Sequence, residues 1–515
     1  NITETFDNTG GTLQANAATL SIVAGELDNS AGRLLHAGSD ALAINSARLT
    51  NSDGQIASNQ ALVADVRDFN NQSGNLGAQL ISLNGDQLDN SEGVIDADQL
   101  AINLTGDLNN TAGQLIAQAL IDDALTLTVA GLLNNSGYIG TNARQASINA
   151  GSFINNGQVL HAGAGVLRLD VQQNWLNDGA LESNGNLHAT TATLTNNNLI
   201  ATSGSLDITA TSITNSSIID SGSTIQLSAN NLTNRNGSIT AAGTSNSRID
   251  ITDTLDNSSG IIQANANQLA ISAAQLLNNN GKVLHAGADQ LDITATTLDN
   301  ISGSLVSNNQ IALTVQQTNN LAGNISAATI DMSGANLVNR DGTIDADQMR
   351  IQLTGDLDNI SDAATASISA LGTAANGLII NLDGTLNNSG TLQTNADSAT
   401  LTLGNLTNTG RILHAGFGVL RLDVQNDLIN QQRIDSNGTQ TLIAGNMNNT
   451  GIITAAGNLN IEFIQALTNS GDLDAAGALN LSGTTLTNTG YITAAGTTDG
   501  AINLSGSLTN NGGVI

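Results

Sequence analysis

A hydrophobic-x-Asn triplet, followed two to four residues later by Gly, returns along the whole chain and restricts the fold more than any other feature. Clear copies run from Leu27-Asp28-Asn29 to Gly32, Leu49-Thr50-Asn51 to Gly54, Leu88-Asp89-Asn90 to Gly93, Leu298-Asp299-Asn300 to Gly303 and Leu486-Thr487-Asn488 to Gly490. The asparagine falls at 8, 29, 51, 71, 90, 110, 135, 155, 177, 196, 215, 234, 257, 279, 300, 320, 339, 359, 388, 408, 430, 449, 469, 488 and 510, and 22 of the 24 intervals are 19 to 23 residues long. The glycine is absent after Asn196, Asn215, Asn359 and Asn430, so it is favoured and not obligatory. A period of this size marks a solenoid, whose repeats bury their apolar faces only by stacking on one another.

Within a unit the apolar period is 2, which means strand. In the first unit Leu13, Ala15, Leu20, Ile22 and Leu27 share one face, and Ile262-Gln263-Ala264, Leu269-Ala270-Ile271 and Leu277-Asn278-Asn279 repeat the scheme. Three short strands per coil are expected, joined by turns of Gly, Asn, Ser and Asp. The strand pattern returns with one phase and one polarity instead of pairing around Asn-Gly turns, so hairpins fit less well than parallel stacking. The chain therefore reads as an all-β parallel β-helix of about 25 coils, each of about 21 residues, and roughly 120 Å long at ~4.8 Å per coil.

Composition agrees. There is no proline in 515 residues, as expected where every strand must donate to a neighbour on both sides. There is no cysteine, which excludes a disulfide scaffold and thiolate metal sites. Aromatic residues are 2% against 40% hydrophobic, so aliphatic side chains must build the core. A net charge of −30 disfavours nucleic acid and anionic membrane surfaces. No stretch approaches the ~20 apolar residues of a membrane-spanning helix. No secretion leader precedes the repeats, which run in mid-pattern to both ends, so a fragment of a longer chain is expected.

The asparagine, represented by Asn29, Asn51, Asn90, Asn110, Asn257, Asn300, Asn408 and Asn488, is expected at one corner of each coil, as a turn former and as a ladder of stacked amides. Above the coil runs a longer rhythm: Leu-His-Ala-Gly at His36, His161, His285 and His414, six coils apart. The segment Val166 to Gln172 is repeated residue for residue at Val419 to Gln425. We read a duplicated block of about twelve coils, 1–249 and 250–515, continuous as one solenoid. The two long intervals, after Asn110 and after Asn359, occupy matching places and imply protruding insertions around residues 118–124 and 361–377, near Asp122, Asp123, Asp362 and Ala364.

Catalytic readings find little support. Six coils separate successive histidines by roughly 29 Å, too far to share an ion. Aligned with Gln14 and Gln263, each histidine is expected to point outward. The pairs Asp96/Asp98 and Asp345/Asp347, and the adjacent Asp122/Asp123, suggest the two-carboxylate chemistry of glycosidases. The chain has only one Trp, two Tyr and five Phe to wall a sugar cleft, so a polysaccharide-degrading enzyme stands third. No phosphate-cradling loop, zinc-type histidine pair, calcium nonapeptide or nucleophile elbow occurs, and neither a catalytic residue nor a cofactor or metal is expected.

Units such as Gly390 to Gly410, GTLQTNADSATLTLGNLTNTG, resemble the haemagglutinin repeats of filamentous haemagglutinin, of related two-partner-secretion exoproteins and of contact-dependent growth inhibition effectors. The resemblance spans essentially the whole chain. It implies a right-handed β-helix exported unfolded through a partner outer-membrane transporter of a Gram-negative bacterium. It further implies a secreted or cell-surface, non-catalytic stalk serving adhesion or toxin delivery. The second expectation is that a face or insertion binds a receptor or glycan on a target cell.

Overall fold

The structure is a computed structural model that describes residues 1–515, and every regular element in it is a β-strand. Two compact units, Asn1–Thr252 and Asp253–Ile515, are each a parallel β-solenoid; together they hold about 25 turns of about 20 residues.

A representative coil of the first unit has a short strand, Arg33–His36, and a long one, Ala41–Thr50; the next coil repeats them as Gln55–Ser58 and Ala61–Asn70. Pairing is parallel and in step: Leu34 opposes Ile56, Leu42 opposes Leu62, and Leu49 opposes Phe69. Apolar residues at alternate positions are thereby stacked into interior columns. In the first unit, Leu34, Ile56, Leu76, Ile95 and Leu115 form one column, each 0% exposed; in the second, Leu305, Ile325, Ile344 and Ile368 do the same. At ~0.8 kcal/mol per buried CH₂, these columns are the main favourable term. The largest buried side chains include Phe153 and Trp175, which stack in register in adjacent coils.

In most coils two strands replace the expected three, while three separate strands are kept in the coil of Ser367–Ala370, Leu378–Leu382 and Thr385–Asn388 and in the next, Thr391–Thr394, Ala399–Leu403 and Asn405–Asn408. In the representative coil the second and third expected strands join into one long strand whose alternation slips phase once, whereas in coils such as Asn75–Gly85 with Gln87–Asp89 the first and second join instead. Along Ala41–Thr50, Leu42, Ile44 and Ser46 are inward, Ala47 and Arg48 are both exposed, and Leu49 is inward again. That double exposure is a corner turned without breaking the ladder. Ser46 secures it, its Oγ donating to Arg48 O at 2.5 Å. Elsewhere the slip is a bulge, as between Val171 and Asn174.

One repeat is displaced from its expected register. In Leu276-Leu277-Asn278-Asn279-Asn280 the inward residues are Leu276 and Asn278, both 0% exposed, and not Leu277 and Asn279. A one-residue slip exchanges the faces of a strand. Here the spacing Leu-x-Asn is kept by Leu276, and Asn280 takes the left-handed turn position with φ 55°.

The long intervals also divide differently. In the first unit the extra residues form an excursion at 118–121 between the strands Gln114–Ala117 and Asp122–Asn135, with Leu120 72% exposed. In the second unit, residues 361–377 are not one bulge. The strand Ser367–Ala370 lies within them, paired in parallel to Thr343–Leu353 and Thr391–Thr394. Separate loops flank it, because Ile368 and Ala370, each 0% exposed, keep their places in the interior columns.

Candidate functional site

The asparagines converge on a single interior line in each unit. In the first unit, from Asn8 to Asn234, every Nδ2 donates to the Oδ1 of the next coil's asparagine, in eleven bonds of 2.6 to 2.8 Å. The second unit has twelve such bonds from Asn257 to Asn510, of 2.7 to 3.0 Å. Asn29, Asn51, Asn90, Asn110, Asn257, Asn300, Asn408 and Asn488 are all 0% exposed. The same Nδ2 closes its own turn: Asn29 donates to Gly32 O at 3.2 Å and Asn469 to Gly471 O at 3.0 Å.

The turns come in two lengths. Where Gly stands three residues after the asparagine, the residue before it has positive φ and is seldom glycine: Ala31, Asp53, Ser73, Glu92 and Ala112 lie between 52° and 57°. The following glycine is required by proximity, since a Cβ on Gly32 would lie 2.3 Å from Asn8 O. Turns after Asn135, Asn155 and Asn177 are one residue shorter and lack the strained position. Asn196, Asn215 and Asn430, which lack the glycine, have the shorter turn, their Nδ2 donating to the carbonyl two residues on.

The histidines do not point outward. His36, His285 and His414 are 2% exposed and His161 is 0%. Strand register aligns His36 with Ala15 and His285 with Ala264, inward positions, while Gln14 and Gln263 oppose Leu35 and Leu284. The expected alignment was one residue off, because Leu-His-Ala was matched to Leu-Gln-Ala when the strand places Leu-Leu-His against Leu-Gln-Ala.

Each imidazole spans three coils. Nε2 meets the carbonyl of an alanine in the coil beneath, Ala17 at 3.0 Å, Ala143 at 2.8 Å, Ala266 at 2.8 Å and Ala396 at 2.9 Å. Nδ1 meets a serine Oγ in the coil above, Ser58 at 3.1 Å, Ser183 at 2.8 Å, Ser307 at 2.9 Å and Ser436 at 2.8 Å. A carbonyl only accepts, so Nε2 carries the proton and the serine donates to Nδ1. The glycine of Leu-His-Ala-Gly is explained by the same carbonyl: a Cβ on Gly163 would stand 1.7 Å from Ala143 O, and on Gly416 1.8 Å from Ala396 O. Sequence reasoning overlooked the serines, although each lies 22 residues after its histidine. Burial drives the imidazoles of His161 and His414 below the ordinary range, against the opposing pull of their carbonyl partners. The fifth histidine, His188, is half-exposed and faces Asp207 at 3.0 Å.

The protruding residues are placed by ordinary contacts. Asp122 and Asp123 are exposed; Asp122 pairs with Arg144 at 3.2 Å and Asp123 holds φ 57°. Asp362 and Ala364 lie in an exposed loop clasped by Asp341, whose carboxylate accepts the amides of Asp362 at 2.7 Å, Ala363 at 3.1 Å and Ala364 at 3.0 Å. The Ala364 amide first, then the others, hold the Asp341 carboxyl below its usual range. Arg340 also pairs with Asp362. Of the acidic pairs, Asp345 is raised by its burial and then by the charge of Asp347, while Asp96 accepts from Gln118 Nε2 at 2.6 Å. No group of three or more His, Asp or Glu is placed to hold a metal ion.

One surface feature was not anticipated. On the outer face of the first unit, Arg48, Asp68, Gln87, Asp89 and Asp107 from successive coils line an open groove of about 560 Å³. Its signal in the sequence was the run of charged and amide residues at outward positions three before, and one before, the ladder asparagine.

A family model described as haemagglutinin repeat matches residues 115–174, 172–204, 201–259, 260–296, 286–361 and 435–512, together more than half of the chain. No curated protein and no solved structure matches it.

Proposed function

The chain belongs to the haemagglutinin-repeat family, and from that premise we propose that it is a non-catalytic stalk of a large exoprotein which holds an adhesive or toxic part away from the cell. The family places it among secreted or cell-surface exoproteins, and repeats of this kind on a β-solenoid suit a rod-like segment. The observation that carries the reading is the asparagine ladder, which passes both long intervals with its bonds intact, 2.8 Å from Asn110 to Asn135 and 2.7 Å from Asn359 to Asn388. The stack stays regular where the loops are longest.

In this reading the two blocks continue as one solenoid, the parent protein is exported through a partner outer-membrane transporter, and the stalk stands on the exterior of a Gram-negative bacterium. The absence of cysteine is compatible with threading an unfolded chain. Electron microscopy of the purified chain tests the proposal: an elongated particle near the ~120 Å given by 25 coils at ~4.8 Å is expected, and a compact one refutes it.

A second reading rests on the groove of the first unit. Its amides and carboxylates could engage a receptor or glycan on a target cell. Binding to target cells that is unchanged after Asp68→Ala and Asp89→Ala would remove the groove from consideration.

A further inference from the structure

The Leu-His-Ala-Gly motif is one layer of a three-coil cassette. The lower coil contributes Asn-Ala, at Ala17, Ala143, Ala266 and Ala396; the upper contributes Ser-Asn, at Ser58, Ser183, Ser307 and Ser436. The upper asparagine returns the bond: Asn59, Asn184, Asn308 and Asn437 donate to Ala37, Ala162, Ala286 and Ala415 at 3.1 to 3.2 Å. Three of the four serines also accept a backbone amide two residues on, from Gly185 at 3.2 Å, Asn309 at 3.3 Å and Gly438 at 3.1 Å. At His161, His285 and His414 every hydrogen of the relay thus has a direction: amide to serine, serine to Nδ1, Nε2 to carbonyl.

We propose that the cassettes of His161 and His414 are acid-sensitive latches, which lock three coils together while the imidazole is neutral and loosen them when it takes a second proton. A proton on Nδ1 would turn that atom into a donor toward a serine oxygen that already accepts an amide, displacing the serine's own hydrogen from its acceptor. It would also place a full charge in a site at most 2% exposed. The charged groups on the elements around the rings offer little compensation. They are Asp397 beneath His414, whose pull is smaller than the effect of burial, and Arg144 beneath His161, which adds a like charge. Nearby coils carry Ala15, Thr141, Ala264 and Thr394 at the same inward position, so the solenoid does not need histidine in order to stack.

The sign follows from linkage. A histidine held neutral in the fold stabilises above the ordinary imidazole value of 6.5, and that stability is lost as pH falls from there through the folded value. Local opening constants should rise by about tenfold per pH unit for each such ring in that window.

The experiment is amide hydrogen exchange of the 515-residue chain, resolved by peptide and corrected for intrinsic rate, from pH 7.5 to 5.0. Peptides spanning the three coils of the His161 and His414 cassettes are expected to lose protection on acidification, and those midway between cassettes to keep it. A variant carrying His36→Ala, His161→Ala, His285→Ala and His414→Ala should lose this pH dependence, whereas His188→Ala should retain it. Should the fourfold variant fold poorly, exchange of the imidazole C2 hydrogens in the unaltered chain reads each titration directly. Midpoints for His161 and His414 below 6.5 support the latch. Midpoints at or above that value overturn it, as does equal loss of protection in the fourfold variant.

Discussion

Replacing Gln440 with leucine should stabilise the second unit. Gln440 is 0% exposed, and neither Oε1 nor Nε2 has a hydrogen-bonding partner. Its register neighbours are Leu420 beneath and Leu459 above, 1% and 0% exposed, so a polar amide interrupts an aliphatic column. An unpaired buried amide costs about 1–3 kcal/mol, and leucine, of similar volume, would remove that cost while keeping the interior filled. The mirror experiment exists in the first unit, where Leu187 occupies the corresponding place between Leu167 and Leu206. Leu187→Gln should lose what Gln440→Leu gains. Because repeat proteins unfold by neighbouring units, the readout should be local as well as global: urea titration together with amide exchange in the strand Thr439–Asn449. A gain of ~1–3 kcal/mol in opening free energy is expected there. If Gln440→Leu lowers protection in that strand, the account of the interior as an aliphatic column intolerant of unpaired amides is wrong.

Asn300→Ala removes a ladder donor and acceptor and leaves Asn278 and Asn320 each short of a partner, a loss of about 2–4 kcal/mol by urea titration at roughly 1 kcal/mol per bond plus the desolvated partners. Ala31→Gly and Glu92→Gly relieve left-handed backbone at φ 52° and 57°, and each should raise the denaturation midpoint through a gain of about 0.5–1 kcal/mol. Gly163→Ala would drive a methyl against Ala143 O and should abolish exchange protection in the coils around His161. The loop carrying Asp362 and Ala364 should be protease-resistant at neutral pH and become labile as pH falls below the ordinary aspartate value of 3.8, because a depressed carboxyl stabilises above that value and releases its amides once protonated; Asp341→Ala should make the loop labile at every pH.

How far the sequence could be read is decided by the size of the unit that carried the signal. The coil and its strand polarity were legible because Leu-x-Asn repeats over 20 residues at a time, and no local ambiguity survives that many copies. Errors arose wherever one residue decided a face. His36 was aligned by its flanking letters, and the inward position it shares with Ala15 became visible only in the strand register. Asn278 was passed over because three asparagines stand in a row, and only the ladder bond selects among them. The expected third strand was a true corner read as an interruption, since a double exposure such as Ala47-Arg48 looks the same in sequence whether or not pairing continues. The strand Ser367–Ala370 was hidden inside an apparent insertion because its small residues, Ser367-Ile368-Ser369-Ala370, carry only one large apolar side chain.

The asparagine line has a direction. In both units every amide nitrogen points toward the C-terminal neighbour and every amide oxygen toward the N-terminal one, so the bonds polarise one another in a single sense, as links in a conductor of dipoles. A segment of whole coils spliced in at any point therefore meets a donor on one side and an acceptor on the other and closes the line without rearrangement. A splice of a fractional coil cannot. The grammar of growth for such a chain is thus integral: it can be lengthened by one coil, six or twelve, and the amides check the count.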